Sequence, residues 1–283
     1  MTVERHREVQ GVRVPTFLYG TAWKEERTAE LVREALRAGF LGVDTANQRR
    51  HYHEVQVGKA LREAEAAGEA RAQDLFIQTK FTHRAGQDHR LPYDPEAPVS
   101  RQVVQSFRSS LEHLGVEVLD SYVLHGPTRP RTLGDEDLQA WRAMEEVHGQ
   151  GGCRLLGVSN FSAGQLEELL AMARVAPAFV QNRCFARAGW DAPVRRLCSG
   201  RGIVYQGFSL LTANPQVLTH PEVQEIARSR GRTVPQLIFR FALEVDMVPL
   251  TGTTDPDHMR EDLEVYDFSL DDRERGILFR AGM

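Results

Sequence analysis

The sequence has little of what marks disulfide-stabilised, metal-binding or membrane proteins. Cysteine occurs only three times in 283 residues, and no Cys-x-x-Cys pair or Cys/His metal spacing is present. So few cysteines predict buried, unpaired thiols in a reducing cytoplasm. No apolar run approaches the roughly 18 residues that a membrane span needs. The charged residues 1–11 also lack the apolar core of a secretory signal.

An excess of charge of one sign is lacking too. The 35 Lys and Arg residues nearly balance the 39 Asp and Glu residues, which leaves a net charge of −4. So small a charge gives no electrostatic reason to expect nucleic acid or a membrane surface as a partner. With 41% hydrophobic and 26% charged residues, the composition is that of an ordinary soluble globular protein, not of a disordered or collagen-like chain. We therefore expect a cytoplasmic protein.

A strand followed by a helix is the repeating unit of the chain. Short apolar runs such as Leu75–Lys80 and Leu119–Leu124 alternate with stretches of helical spacing such as Thr28–Ala38. Many of these runs are apolar throughout, which is typical of parallel strands that are buried on both faces.

Eight such units follow a short hairpin predicted over Val9–Pro15, with its turn at Gly11. Eight units in a chain of this length match a closed (β/α)8 barrel better than an open doubly wound sheet. The Gly-x-Gly-x-x-Gly turn of an open dinucleotide-binding sheet is also absent. We therefore predict an α/β fold: a single TIM-barrel domain over residues 1–283 with an N-terminal β-hairpin.

Polar and ionisable side chains stand where the apolar strands end. In a barrel of this kind the active site lies at the carboxyl ends of the strands. Any one of these residues alone would be read as a helix cap, a loop residue or a satisfied polar group. Their convergence on one barrel mouth predicts a catalytic site. The residues are Asp44, Lys80, His125, Ser159, Asn160 and Gln181.

Several motifs in a fixed order make the sequence resemble the aldo-keto reductases over nearly its whole length. Gly-Val-Ser-Asn-Phe, together with the Asp-Thr-Ala and Leu-His signatures, is the most specific part of the match. The matching stretches are Gly20-Thr21-Ala22-Trp23, Gly42–Ala46, Thr79-Lys80, Asp120–His125, Gly157–Phe161, Val180–Asn182, Phe208–Leu210 and Pro249–His258.

The resemblance implies hydride transfer from a nicotinamide cofactor to a carbonyl group. In this family a Tyr donates the proton, a Lys lowers the pKa of that Tyr, an Asp positions the Lys, and a His orients the substrate. A free Tyr titrates near pH ~10, so a neighbouring cation would bring its pKa towards the working range. Asp44, Lys80 and His125 match three of these four positions.

The fourth position does not match directly. The family places its Tyr five residues after the Asp, where this chain has Arg49, whereas counting back from Val57 gives His51. The loop is therefore about two residues longer than the family pattern. Tyr52 is the only tyrosine in this loop, and we predict that it is the proton donor. His51 as an imidazolium donor, or a site without a donor, remains the alternative.

The resemblance also assigns the contacts of the cofactor and the substrate. Ser159, Asn160 and Gln181 would bind the nicotinamide carboxamide, Phe208 would stack on the ring, and the segment from Ser209 through Leu211 to Thr212 would follow the pyrophosphate. The other predicted cofactor residues are Gly20, Thr21, Asp44, Gly252, Thr253, Thr254, His258, Glu261 and Asp262. The predicted substrate residues are Trp23, His51, Tyr52 and His125. No metal is expected, because His51-x-His53 has no further ligand in sequence.

The segment after the eighth strand decides between NADPH and NADH. NADP-binding members of the family carry a Lys and an Arg there, and the matching positions are Gly252 and His258. The hydroxyls and helix amides that follow Gly252 could hold an anion, whereas Asp255 and Asp257 oppose a dianion. We expect NADPH as the cofactor, with NADH possible.

The expected substrate is a small aldehyde or ketone, and the chain is expected to be a monomer. Trp23, Trp190 and Tyr93 are predicted pocket walls, and the long polar loop 83–99 is predicted to shape the pocket. Two other functions stay open. One is a class I aldolase-type barrel in which Lys80 forms a Schiff base, and the other is a non-catalytic nicotinamide-binding subunit that senses redox state.

Overall fold

The predicted barrel is confirmed by the computed structural model, which describes residues 3–283. Eight parallel strands are hydrogen-bonded in chain order, and the last one pairs with the first to close the barrel. The strands are β3 (Leu18–Gly20), β4 (Gly42–Asp44), β5 (Phe76–Phe81), β6 (Leu119–Leu124), β7 (Cys153–Ser159), β8 (Phe179–Arg183), β9 (Val204–Phe208) and β10 (Met247–Thr251).

The predicted hairpin is present and precedes the barrel. Strands β1 (His6–Val9) and β2 (Val12–Pro15) pair antiparallel. Gln10 and Gly11 form the turn with φ of +49° and +79°, and positive φ at both central residues is what a type I′ turn requires. Val9 and Val14 are buried in one cluster with Leu18 and other inward-facing strand residues. The hairpin therefore covers the amino end of the barrel and leaves the carboxyl end open.

Helices pack around the outside of the barrel. A large cluster of buried apolar residues fills the space between strands and helices. The helices are α1 (Thr28–Ala38), α2 (Glu54–Ala66), α3 (Val99–Leu114), α4 (Asp135–Gly149), α5 (Ala163–Met172), α6 (Ala192–Ser199), α7 (Pro215–Leu218), α8 (Pro221–Arg230), α9 (Val234–Glu244), α10 (Pro256–Leu263) and α11 (Asp272–Arg280). Across residues 3–283, no helix is long and apolar enough to cross a membrane.

Two of these helices, α7 and α11, are absent from the sequence prediction. Helix α11 begins with a capping box in which Asp271 accepts from the Glu274 amide and Glu274 accepts from the Asp271 amide, both at 2.8 Å. Arg230 on α8 forms an ion pair with Glu274 at 2.6 Å. The helix is short and follows the last barrel unit, so the strand–helix repeat gives no reason to expect it.

The three cysteines are buried and unpaired, as the sequence predicts. Burial raises the pKa of Cys153, Cys184 and Cys198 to about 12. Thiols with such pKa values are protonated at neutral pH and are poor nucleophiles. No group of three or more His, Cys, Asp or Glu side chains that could hold a metal ion occurs in the part of the chain that the structure describes.

Candidate active site

A cavity of about 840 Å³ opens at the carboxyl ends of the strands. Its size lies within the range of small-molecule and cofactor sites. Every predicted cofactor, substrate and catalytic residue lines it except Thr21 and Lys80. Both of these residues are buried next to Asp44. The Thr21 amide and hydroxyl each donate to the Asp44 carbonyl at 3.0 Å.

Asp44 lines the cavity and forms a buried ion pair with Lys80. The Lys80 ammonium donates to both carboxylate oxygens of Asp44, at 2.7 and 2.6 Å, and to the Thr45 carbonyl at 2.8 Å. Its three N–H donors are therefore all used. Burial lowers the pKa of Lys80, and the adjacent Asp44 carboxylate opposes that shift.

Three glutamines from the barrel interior surround the same carboxylate. Gln78 and Gln181 donate to Asp44 Oδ1 at 2.7 and 2.9 Å, and both also donate to Gln206 Oε1. All three amides are buried. This layer fixes the Asp44 carboxylate and, through it, the ammonium of Lys80. The sequence analysis did not single out Gln78 or Gln206.

Tyr52 lies against the residues that the family motif would require. Its ring makes an edge contact with His125 at 5.8 Å between centroids, and Lys80 Nζ is 5.3 Å from the Tyr52 ring centre. Burial raises the pKa of Tyr52 well above 10, and the nearby Asp44 raises it further. The resemblance implied instead that Lys80 would lower this pKa. In the structure the protons of Lys80 are directed at Asp44 and Thr45.

His51, the alternative donor, lies at the rim of the cavity. Its ring stacks on the indole of Trp23 with centroids 4.0 Å apart, and its carbonyl accepts from the Trp23 amide at 2.7 Å. Trp23 itself is 69% exposed. Burial lowers the pKa of His51, and Arg50 lowers it further. Little imidazolium would therefore be present at neutral pH.

His125 faces the cavity as a neutral imidazole. Burial lowers the pKa of His125 to about 3, with further lowering from Lys80 and His51. Its Nδ1 forms a hydrogen bond of 2.7 Å with the Thr82 hydroxyl. This hydrogen bond restricts rotation of the imidazole ring, because the Thr82 hydroxyl can pair with Nδ1 in either tautomer. Thr82 is a further residue that the sequence analysis missed.

The predicted carboxamide site has free groups of both kinds. The Asn160 side-chain amide donates to the His125 carbonyl at 2.8 Å and to Ser159 Oγ at 3.1 Å, which leaves its oxygen for a ligand. The Gln181 amide N–H groups are used by Asp44 and Gln206, which leaves the Gln181 oxygen. With the Ser159 hydroxyl as donor, these groups fit a carboxamide, which needs partners for both its N–H and C=O groups.

Three residues of the cavity wall have a strained backbone. Trp23, Asn160 and Ser209 have φ of +62°, +61° and +57°, a region that non-glycine residues seldom occupy. All three line the cavity. Such strain persists only where the surrounding structure enforces it, and it commonly marks functional sites.

The far end of the cavity is formed by the segment after β10 and by α10. Thr253, Thr254, His258, Glu261 and Asp262 line it. Asp255 caps α10 by accepting from the Asp257 amide at 2.8 Å. Burial raises the pKa of Asp262 to about 7, so this carboxyl group is partly protonated at neutral pH.

One cation at this end of the cavity has no predicted role. Lys24, on the loop after β3, lines the cavity and is buried. A lysine in a loop is ordinarily solvated, so its residue type gives no signal in the sequence. Arg183 at the end of β8 also lines the cavity, with its guanidinium 5.5 Å from the Phe208 ring centre.

Two of the three predicted pocket aromatics are core residues. The Trp190 indole donates to the Leu278 carbonyl at 3.3 Å and packs on Phe241. The Tyr93 hydroxyl donates to the Thr82 carbonyl at 2.8 Å. Neither lines the cavity, and neither does any residue of the loop 83–99. Both rings are buried, so they pack within the protein and do not face a ligand.

The fold and the site together define a (β/α)8-barrel oxidoreductase with a buried Asp–Lys pair and a His at the barrel mouth. Residues 16–278 match the aldo/keto reductase family, and the chain belongs to that family. It is therefore an NAD(P)H-dependent enzyme that reduces carbonyl groups.

Curated relatives and solved structures agree with this assignment. Morphine 6-dehydrogenase of Pseudomonas putida is 31% identical over 95% of this chain and 88% of its own. Glyoxal reductase of Bacillus subtilis is 29% identical over the same shares of the two chains. An aldo-keto reductase of Brucella melitensis superposes with a TM-score of 0.84 at 24% identity, over 99% of this chain and all of its own. A Bombyx mori aldo-keto reductase in complex with NADP gives 0.83 at 23% identity, over 99% and 93%.

Proposed function

We propose that the chain reduces a small aldehyde or ketone with NADPH, and that Tyr52 is the proton donor. The observation that carries the proposal is the position of Tyr52, which is partly buried, packs against His125 and lies close to the Lys80–Asp44 pair. The choice of Tyr52 over His51 is supported by these contacts, since the His51 ring packs on Trp23. We also propose that the enzyme is a monomer with a single domain.

NADPH, when bound, supplies the hydride for the carbonyl carbon. The residues of the chain then orient the carbonyl oxygen and protonate it. A raised pKa keeps the Tyr52 hydroxyl protonated at neutral pH, so it can donate its proton as negative charge develops on the substrate oxygen. Neutral His125 orients that oxygen, and the Thr82 hydroxyl holds the imidazole in place.

The buried ammonium of Lys80 stabilises the phenolate that Tyr52 leaves behind. It lies 5.3 Å from the Tyr52 ring centre and is fully buried, where a charge interaction is stronger than in solution. Asp44 and its amide donors hold that ammonium in place. Tyr52 is therefore the proton donor, His125 orients the substrate, Lys80 stabilises the phenolate, and Asp44 holds Lys80 in place.

NADPH is proposed over NADH on two grounds. Solved aldo-keto reductases similar to this chain contain NADP or NADPH. The cavity end near Gly252, where the resemblance places the adenosine phosphate, has hydroxyls from Thr253 and Thr254. NADH remains the alternative, because the Lys and Arg of the family pattern are missing there.

The test compares Tyr52→Phe with His51→Ala. Oxidation of NADPH is followed spectroscopically against a panel of aldehydes and ketones, with NADH in parallel. We expect Tyr52→Phe to lower kcat by about a thousandfold or more while the Kd of NADPH changes little. If Tyr52→Phe keeps most of its turnover and His51→Ala loses it, the donor is His51.

The two rival functions predict other results. The Lys80 amine is fully buried and all its N–H groups are used, so it is poorly placed to attack a carbonyl as a Schiff-base nucleophile. Borohydride trapping of a substrate on Lys80 would nevertheless support an aldolase. Binding of NADPH without turnover of any carbonyl would favour a redox-sensing subunit.

A further inference from the structure

We propose that Lys24 binds the adenosine 2′-phosphate of NADPH and thereby makes the chain prefer NADPH to NADH. The proposal rests on the proposed function, since it assumes a nicotinamide dinucleotide in the cavity. At the two positions where the family pattern has a Lys and an Arg, this chain has Gly252 and His258, neither of which is a strong cation. The proposal assigns recognition of the phosphate to Lys24 instead.

Lys24 is a buried cation without a charged partner. Its side chain is only 4% exposed, and its Nζ donates to the Gly252 carbonyl at 2.8 Å and lies 4.9 Å from the Tyr19 ring centre. An ammonium group has three N–H donors, and the hydrogen bond to Gly252 uses one. Among residues 3–283, no carboxylate forms an ion pair with this ammonium.

Such a cation is costly to bury unless an anion accompanies it. Burial lowers the pKa of Lys24 to about 8, and the nearby Arg27 lowers it further. Lys24 nevertheless lines the cavity, so a phosphate in the cavity could accept from the remaining N–H groups. A bound anion would restore the charge balance that the protein itself does not provide.

The position of the ammonium also identifies the phosphate. Gly252 is the residue that matches the phosphate-binding Lys of the family pattern. A Cβ atom at Gly252 would lie 3.8 Å from Lys24 Nζ, so the ammonium of Lys24 would be in van der Waals contact with a side chain at 252. Lys24, on the loop after β3, thus places its positive charge beside the loop that follows β10. Thr253 and Thr254 line the same part of the cavity.

The pyrophosphate is the other phosphate that Lys24 could contact. The resemblance places it along Ser209 to Thr212, on the loop after β9, whereas the Lys24 ammonium is bonded to the loop after β10. Because NADPH and NADH share the pyrophosphate and differ in the 2′-phosphate, the two contacts predict different results when Lys24 is changed.

The test measures the dissociation constants of NADPH and NADH for the wild type and for Lys24→Met. Binding is followed by quenching of tryptophan fluorescence, and 2′,5′-ADP and 5′-AMP serve as fragment probes. We expect Lys24→Met to weaken NADPH and 2′,5′-ADP by about ten- to a hundredfold, as for loss of a charge-assisted contact. NADH and 5′-AMP should change by less than about threefold. Lys59→Met is the matched control, because Lys59 is exposed and pairs with Glu63 on its own helix.

Equal weakening of NADPH and NADH, or no weakening of either, would overturn the assignment of Lys24 to the 2′-phosphate. Retained NADH binding shows that the variant is folded, and Lys24→Gln repeats the test if Lys24→Met does not fold. If the wild type binds neither dinucleotide, the proposed function itself fails, and that result is distinct from any effect of Lys24.

Discussion

The Asp44–Lys80 pair allows the cost of a single substitution to be worked from its contacts. In Asp44→Asn, the fully buried ammonium of Lys80 loses its counter-charge and one of its two side-chain acceptors, which lie at 2.7 and 2.6 Å in the wild type. It keeps one amide oxygen and the Thr45 carbonyl. Removing one partner of a buried ion pair costs about 3–5 kcal/mol. Because domains are stable by about 5–15 kcal/mol, we expect Asp44→Asn to fold, with a free energy of unfolding lowered by that amount and with little catalysis.

Removing Lys80 should lower the free energy of unfolding less than removing the charge of Asp44. In Lys80→Met, Asp44 Oδ1 still accepts from Gln78 and Gln181 at 2.7 and 2.9 Å, so the remaining carboxylate is partly compensated. We therefore expect a loss near the lower limit, about 3 kcal/mol. The double variant Asp44→Asn/Lys80→Met has no buried charge at this position and should be more stable than Asp44→Asn alone.

Urea unfolding followed by tryptophan fluorescence measures these differences, and the pH dependence gives a second test. Burial lowers the pKa of Lys80 and Asp44 opposes the shift, so Asp44→Asn lowers that pKa further. The folded variant then binds fewer protons than its unfolded chain, whose lysines titrate near pH ~10.4. Its stability relative to wild type should therefore rise as the pH increases from 7 towards about 10.

Two results would refute this reasoning. One is a double variant no more stable than Asp44→Asn, and the other is a stability deficit that does not shrink at alkaline pH. Lys59→Met provides the control. Its ion pair with Glu63 is exposed and 3.8 Å long, so its free energy of unfolding should change by less than about 0.5 kcal/mol.

Two further predictions concern residues that support the site. Thr82→Val should free the His125 ring and lower kcat about ten- to a hundredfold, with the Kd of NADPH unchanged. Thr82→Ser keeps the hydroxyl and should keep most of the activity. Steady-state kinetics and a binding titration measure both variants, and equal activity of the two would contradict the role of the hydroxyl. Gly58→Ala should lower the melting temperature strongly, since its Cβ would lie 1.9 Å from the His113 carbonyl and 2.8 Å from Leu114 Cα. Unchanged thermal unfolding would show that α2 and α3 can separate at little cost.

The barrel could be predicted because each of its units carries a local signal. The strands are short and apolar, and helices such as α1 and α3 end at Gly39 and Gly115, which adopt φ of +108° and +71°. These positive φ values suit glycine at a helix end. Helix α11 follows no strand, so its capping box at Asp271 and Glu274 is the one local signal for it, outside the strand–helix repeat.

The site could be predicted only where a residue type is unusual for its position. Asp44, Lys80 and His125 stand at strand ends where a packed barrel needs no ionisable groups, and they carry a signal. Lys24 and Thr82 are ordinary loop residues in sequence, and their roles arise from contacts across the fold, with Gly252 and His125 respectively. Such contacts depend on which strand ends meet, which no local pattern records.

The loop that carries Tyr52 shows why its extra length could not be interpreted from sequence alone. The Gln48 side chain donates to the Gly86 carbonyl at 2.6 Å, and the Gln87 side chain donates to the Asn47 carbonyl at 2.9 Å. The Tyr52 amide in turn donates to the Gln48 carbonyl at 3.0 Å. The loop 83–99, predicted to shape the pocket, therefore lies behind the Tyr52 loop and braces it. The conformation of the Tyr52 loop thus depends on donors and acceptors from a second loop that is distant in sequence, and no local pattern records such contacts.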